Sequence, residues 1–427
     1  MKVPEFISKN LLLKMTSVNG VVISIRLIIS VFVQRLLAEI VGEAGIYKIG
    51  QLRSLSQILS SITSLGVFNG VVKYVAEYKD EKPQLQKLFS TTLVFTIFGT
   101  VVTGALLFFG ADFLSTYLFG SSDFTFVVKL VAVVVPFISI QRVFNGVING
   151  LSNYKKFATV ELISYILSAC LLVYLLYQNN ITGALMAIAL TPVIQVVVML
   201  FLIFKILKEY VQFKKLTFST PLGKSLLAFT LMSFVSTVLL NYIEIDIRNM
   251  LANSLSEDDA GIWTGMTFIS KNYMVFSGAM FTLYVIPKFA SINSKSGFLK
   301  ELLSIYKTLL PLFGIGMILI FIFRDFVIEL IYPGFTEMAP LFKWQLLGDF
   351  VRLGALVLIH QFLAKKLVRN FIFTEIVSLA LFYGFANYLV IDYGVEGVVM
   401  AHFIRYILLF FIVLFLVFRY YNNLKKS

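Results

Sequence analysis

The residues with chemistry to offer are charged groups lying inside long apolar runs: the cations Arg26, Arg35, Arg53, Arg142, Arg248, Lys271, Arg352 and Arg405, and the acids Glu161, Glu244, Asp246, Asp349 and Glu375. Placing a charge at the centre of a bilayer costs about 2.5–3.5 kcal/mol even on the lenient insertion scale, so each must face an aqueous cavity or a partner. Arg26, Arg53 and Lys271 have no acidic residue three or four positions away, which removes the same-helix ion pair as an explanation. Several such cations in one cavity suit a multiply charged anion, and the planar fork of arginine meets phosphate oxygens in bidentate fashion. A phosphate or diphosphate group is therefore the expected bound species.

The other cations have local alternatives. Glu244 and Arg248 are four apart and Asp349 and Arg352 three apart, so each arginine is either an intrahelical partner or an anion contact. Arg35 lies near a helix end, where its long stem snorkels to the headgroups. Arg142 and Arg405 lack acidic neighbours on their own helices and either bind anion or pair across helices. The expected binding set is thus Arg26, Arg53, Arg142, Arg248, Lys271, Arg352 and Arg405. Glu375 and Asp349 are the candidates for a coupling ion, with a hydrogen bond to a neighbouring helix as the plainer role for Glu375.

The elements that position these groups follow from composition. Of 427 residues, 59% are hydrophobic and only 14% charged, against roughly 45–50% and 25% in soluble domains. No soluble fold buries so much apolar surface. Runs such as 307–323 are apolar at every phase, which excludes the alternating pattern of a membrane barrel and leaves helices. About twelve spans are expected, near 11–39, 50–74, 86–109, 125–149, 157–177, 181–205, 224–252, 259–287, 301–323, 339–364, 368–390 and 395–419. The start of the chain has no small-residue cleavage pattern, so the first helix is expected to be retained.

Orientation follows from loop charge, because positive short loops stay in the cytoplasm. Lys2, Lys9, Lys82, Lys87, Lys214, Lys215, Lys365, Lys366, Lys425 and Lys426 fall on one side, whereas the opposite loops and the helix ends beside them hold only Lys48, Lys129, Arg324 and Lys343 and are otherwise neutral or acidic, as in SLSEDDAG with Glu257, Asp258 and Asp259. Both termini are expected in the cytoplasm. Topology and anionic headgroups account for the net charge of +13, so no nucleic-acid partner is implied. The basic connector at the midpoint divides the chain into an amino-terminal six-helix lobe at 1–210, a cytoplasmic linker at 211–223 and a carboxy-terminal six-helix lobe at 224–427. The two lobes are expected to surround a central cavity. A short internal repeat supports the division, with 35–57 resembling 248–272 when Ala44 is laid on Ala260. Two-lobe repeats are the usual construction of transporters. One cysteine, Cys170, and two histidines make no metal or cofactor site, and none is expected.

Three segments carry a family resemblance: GVFNGVVKYVAEY at 66–78, AGIWTGM at 260–266, and the stretch 322–358 containing IYPGFTEMAPLFKWQLLGDF. They resemble the Wzx-type lipid-linked oligosaccharide flippases, the O-antigen and enterobacterial common antigen translocases, of the multidrug/oligosaccharidyl-lipid/polysaccharide exporter superfamily. The resemblance runs from about Ala38 to the last span. It implies two six-helix bundles and an undecaprenyl-diphosphate-linked oligosaccharide moved from the inner to the outer leaflet of a bacterial inner membrane. Membrane lipids, a glycan polymerase and chain-length machinery are the implied partners. Arg53, in GQLRSL, matches the arginine that relatives carry early in span 2. Lys271 departs from their pattern, in which an acidic residue stands near this position. The alternatives are a small-molecule exporter of the same superfamily, which would favour acidic binding residues, and a membrane glycan polymerase or glycosyltransferase, for which no outer loop is long enough.

Overall fold

The computed structural model describes residues 11–424, and all regular structure within them is helical. The topology lysines Lys2, Lys9, Lys425 and Lys426 lie outside the described residues. Three very long helical stretches are each two rods joined at a corner. Leu11–Ile62 turns at Gly42, Tyr154–Val211 at Asn179 and Asn180, and Val368–Leu424 at Gly394. The rods are α1 (11–41) and α2 (43–62), α7 (154–178) and α8 (181–211), and α14 (368–393) and α15 (395–424). That the chain reverses is plain from Glu161 and Gln195, whose side chains hydrogen-bond although 34 residues apart. In a straight helix they would stand about 51 Å from each other.

The remaining long rods are α4 (Lys82–Phe109), α6 (Thr125–Gly150), α9 (Gly223–Ser254), α10 (257–291), α11 (Lys295–Ile322) and α13 (Leu341–Ala364). Short helices α3 (Phe68–Tyr78), α5 (Ala111–Phe119) and α12 (Arg324–Ile331) join them. Twelve long rods are thus present among the described residues, the number expected from the sequence. Their outer faces carry exposed Phe98, Leu106, Phe109, Phe201, Ile391 and Phe415, as a lipid-facing surface requires.

The second span departs from the expected continuous helix at 50–74. It stops at Ile62 and resumes as α3, because Leu65 and Gly66 adopt φ of 47° and 66°. A β-carbon on Gly66 would lie 2.9 Å from the Ser233 β-carbon, so only glycine lets α9 come this close. The Thr230 hydroxyl donates to the carbonyl of Leu65, and the Ser61 and Ser233 hydroxyls are 2.8 Å apart. Hydrogen bonds between helices thus replace those lost at the break.

Chain contacts define two compact units. One holds the residues up to Val41 together with Lys48–Ile245; the other holds Gly42–Tyr47 and the chain from Asp246 onward. The first unit has its core where α3, α4, α6, α8 and α9 converge on Val71, Val75, Leu88, Val147, Met199 and Leu226. In the second, the corner between α1 and α2 packs on the start of α10. Ser256 caps α10 by accepting from the Asp259 amide at 3.0 Å, and three acids fill the first turn, where the helix dipole favours them. Asp258 in turn accepts from the Ala44 amide at 3.1 Å, satisfying a donor at the start of α2, and Tyr47 donates to Asn249 at 3.1 Å. The two segments paired as an internal repeat therefore touch each other.

Candidate functional site

The first unit gathers a polar chain across four rods. Arg26 on α1 donates to Glu161 on α7 at 3.0 Å, Glu161 accepts from Gln195 on α8, and Gln195 accepts from Gln141 on α6. The Arg26 guanidinium also lies 5.0 Å from the Tyr165 ring centre. Arg26 therefore has an acidic partner, contrary to the expectation of an unpaired cation. Spacing along one helix tests only same-helix pairs, and this partner is 135 residues away.

Next to Gln141, the Arg142 guanidinium is stacked 3.9 Å above the Phe68 ring. Its Nε is buried without a hydrogen-bond partner, and among the described residues no ion pair reaches it. A ring face compensates part of a cation's desolvation yet leaves its N–H donors available to an anion. Arg53 stands half-buried on α2 between buried Leu52 and Ser54. Gln141, the residue before Arg142, stands at the far end of the network that begins at Arg26.

The second unit carries a denser cluster. Asp349 on α13, with no exposed surface, accepts hydrogen bonds from Ser270 and Tyr273 of α10, from Gln345 at 3.0 Å and from His402 of α15 at 3.1 Å. Arg352 completes the set at 3.5 Å, so the expected intrahelical pair with Asp349 is formed. A carboxylate with this many donors is a satisfied structural charge. Arg405, 5% exposed, lies 4.5 Å from the Phe382 ring centre and 4.2 Å from that of Tyr406, while Arg352 reaches the same tyrosine ring at 5.7 Å. The Nε atoms of both arginines are buried without partners. Glu375 on α14 lies in the field of Arg405 and Arg352. Two arginines thus face two carboxylates here, and the charge of this cluster is nearly balanced.

The other expected residues lie elsewhere. Arg248, 2% exposed, donates from Nε to the Thr264 hydroxyl at 3.0 Å and sits 5.4 Å from the Trp263 ring centre. Lys271 is exposed, one residue from the buried Ser270 that serves Asp349. Sequence reasoning missed His402, Gln345, Ser270 and Tyr273 around Asp349, and Gln141 and Gln195 beside Glu161. The signal for His402 was available. It stands three residues before Arg405, on the same helix face, in a chain with two histidines.

Residues 12–293 match the family described as polysaccharide biosynthesis protein. The chain belongs to that family. Over 380 residues it is 31% identical to the lipid III flippase of Escherichia coli strain K12 and, equally, to that of Shigella flexneri, covering 88% of this chain and 91% of each relative. Among solved structures, the inward-facing conformation of a multidrug resistance MATE family transporter matches with a TM-score of 0.75 at 14% identity, over 93% of this chain and 95% of that one. A transporter of the MOP superfamily from Pyrococcus furiosus, described as having a reversed binding-pocket polarity that suggests a different function, matches with a TM-score of 0.68 at 15% identity, over 97% of both chains. The family member described here is a multi-pass membrane protein with the fold of these transporters.

Proposed function

We propose that this protein is a flippase of the bacterial inner membrane, carrying an undecaprenyl-diphosphate-linked oligosaccharide from the cytoplasmic to the outer leaflet by alternating access. The observation that carries the reading is the 31% identity to lipid III flippases along nearly the whole of both chains. Chemistry supports it from within. The lobes at 1–210 and 224–427, joined by the 211–223 linker, each contribute cations from inside their spans, and Arg142 holds its charge on a ring rather than on a carboxylate. Guanidinium donors left open in this way suit diphosphate oxygens. Arg53 and Arg142 are the foremost cargo contacts, followed by Arg26, whose Glu161 partner the cargo would displace, and by Arg248, Lys271, Arg352 and Arg405. Glu375 is the better candidate for ion coupling, since Asp349 is already saturated with donors. Both termini lie in the cytoplasm, and the glycan polymerase and chain-length machinery receive the product.

The test is translocation of a labelled undecaprenyl-diphosphate oligosaccharide in proteoliposomes, read by its accessibility in the far leaflet. The native protein should move it faster than empty vesicles do. Arg53→Lys keeps the charge but loses the planar fork, so its rate should fall by about tenfold, the size of one good charge-assisted contact. Arg53→Glu should stop transport. Native rates in both variants would remove Arg53 from the site, and no transport by the native protein would overturn the reading.

A further inference from the structure

Along α11 and the face of α13 beside it runs an open groove of about 460 Å³. Its walls are apolar, among them Leu303, Leu310, Ile315 and Ile318 on α11 and Phe350 on α13, and the one charged group at its edge is Lys307. Two features of the helix make the groove. Pro311 denies the Lys307 carbonyl its intrahelical donor and loosens α11 at that turn. Gly314 has no side chain above Phe350, and a β-carbon there would lie 3.3 Å from that ring. Tyr306 pins the two rods together by donating to the Gly354 carbonyl at 2.8 Å. Leu303, Ile315 and Ile318 are each more than half exposed, so the groove opens outward from this unit.

An apolar groove on a membrane protein gains little from apolar contact alone, because lipid tails are as apolar as leucine. Selection must come from charge and shape, which here means Lys307 and the single track beyond it. From Lys307 to Ile318 the helix rises about 16 Å, roughly half of a hydrocarbon core. A lipid whose phosphates meet the Lys307 ammonium would lay one chain along Pro311, Gly314 and Ile318 across the middle of the span. A two-chain phospholipid leaves one chain outside this track, and its single phosphate offers less charge than a diphosphate. We propose that the α11–α13 groove is a docking track for the polyprenyl chain of the cargo lipid, with Lys307 holding the near phosphate. The inference rests on the flippase reading and adds to it where the lipid part of the cargo travels.

Photolabelling tests it with undecaprenyl diphosphate carrying a benzophenone on the second isoprene unit from the diphosphate, applied to the intact protein in nanodiscs. Labelled peptides should map to α11 and α13. Lys307→Gln should cut that labelling about tenfold, as loss of one charge-assisted contact predicts. Gly314→Phe, which fills the track, should abolish it, and an equimolar phosphatidylglycerol competitor should leave it unchanged. Because Gly314→Phe also strains the contact with Phe350, Lys307→Gln keeps the test decisive if that variant misfolds. Unchanged labelling in Lys307→Gln, or equal displacement by phosphatidylglycerol, would overturn the groove as a specific track. Labelling that ignores Lys307 but depends on Arg53 and Arg142 would sink the groove alone and leave the flippase reading standing. Absence of any labelling in the native protein would count against both.

Discussion

At the scale of single residues, charge balance decides what each group is for. Asp349 is held by five donors in a site with no exposed surface, so Asp349→Ala takes from Arg352 its nearest carboxylate and from His402 its acceptor. Breaking a buried pair in this way costs about 3–5 kcal/mol. Purified Asp349→Ala should unfold at a distinctly lower temperature in a thermal-shift assay, and Asp349→Asn, which keeps one acceptor oxygen and the shape of the side chain, should fall between it and the native protein. A native midpoint for Asp349→Ala would show that the cluster is dispensable for stability. Outside the spans, Glu43 sits at the corner of the first hairpin. Burial first, and then the charges of Asp258, Glu337 and Asp259, raise its pKa above the usual carboxylate range. The folded chain therefore binds this proton at pH values where the unfolded chain has lost it, and stability falls as pH rises from the ordinary carboxylate range through the folded value. Thermal midpoints across a pH series should show that decline flattened in Glu43→Gln, and an identical slope in the variant would assign it to another group. The sequence made the in-span charges legible because their cost in lipid singles them out. It hid their partners, since Glu161 lies on another rod from Arg26 and nothing in local spacing points to it.

Among the elements, corners and breaks carry the strain. Asn180 holds φ 47° and ψ −130°, a conformation that suits glycine and costs other residues about 1–3 kcal/mol. Asn180→Gly should therefore raise the thermal midpoint. Gly42, at φ 65° and ψ −167°, is the converse: a β-carbon there meets nothing within 4 Å, yet Gly42→Ala should lower the midpoint through backbone strain alone. Opposite signs for the two variants are the expected result, and equal effects would place the cost elsewhere. Rod number was legible from apolar run length, because a bilayer sets one length for every span. The break at 63–67 was not, since α9 is what favours it: Thr230 and Ser233 supply the hydrogen bonds and the close approach that a continuous helix would forgo.

For the whole molecule, loop charge makes a topology that reporters can read. Fusions at Lys82, Lys215 and Lys366 should report cytoplasm, and fusions at Ser121, Asn179 and Asp258 the outside; an outside signal at Lys215 would refute the even number of spans before the linker. The three hairpin corners at Gly42, Asn179–Asn180 and Gly394 follow the first, fifth and eleventh of the twelve long rods, so the proposed topology puts all three outside. Each turns within one or two residues. A protease needs an extended segment of chain to thread its cleft, and such corners have none to give. Shaving intact spheroplasts from outside should thus leave the three corners uncut, while inverted vesicles expose the connector around residues 212–222 to cutting. The same brevity leaves an antibody no continuous epitope at these corners, so on that face immune reagents raised against peptides would have to find the connectors at 110–124 and 323–340.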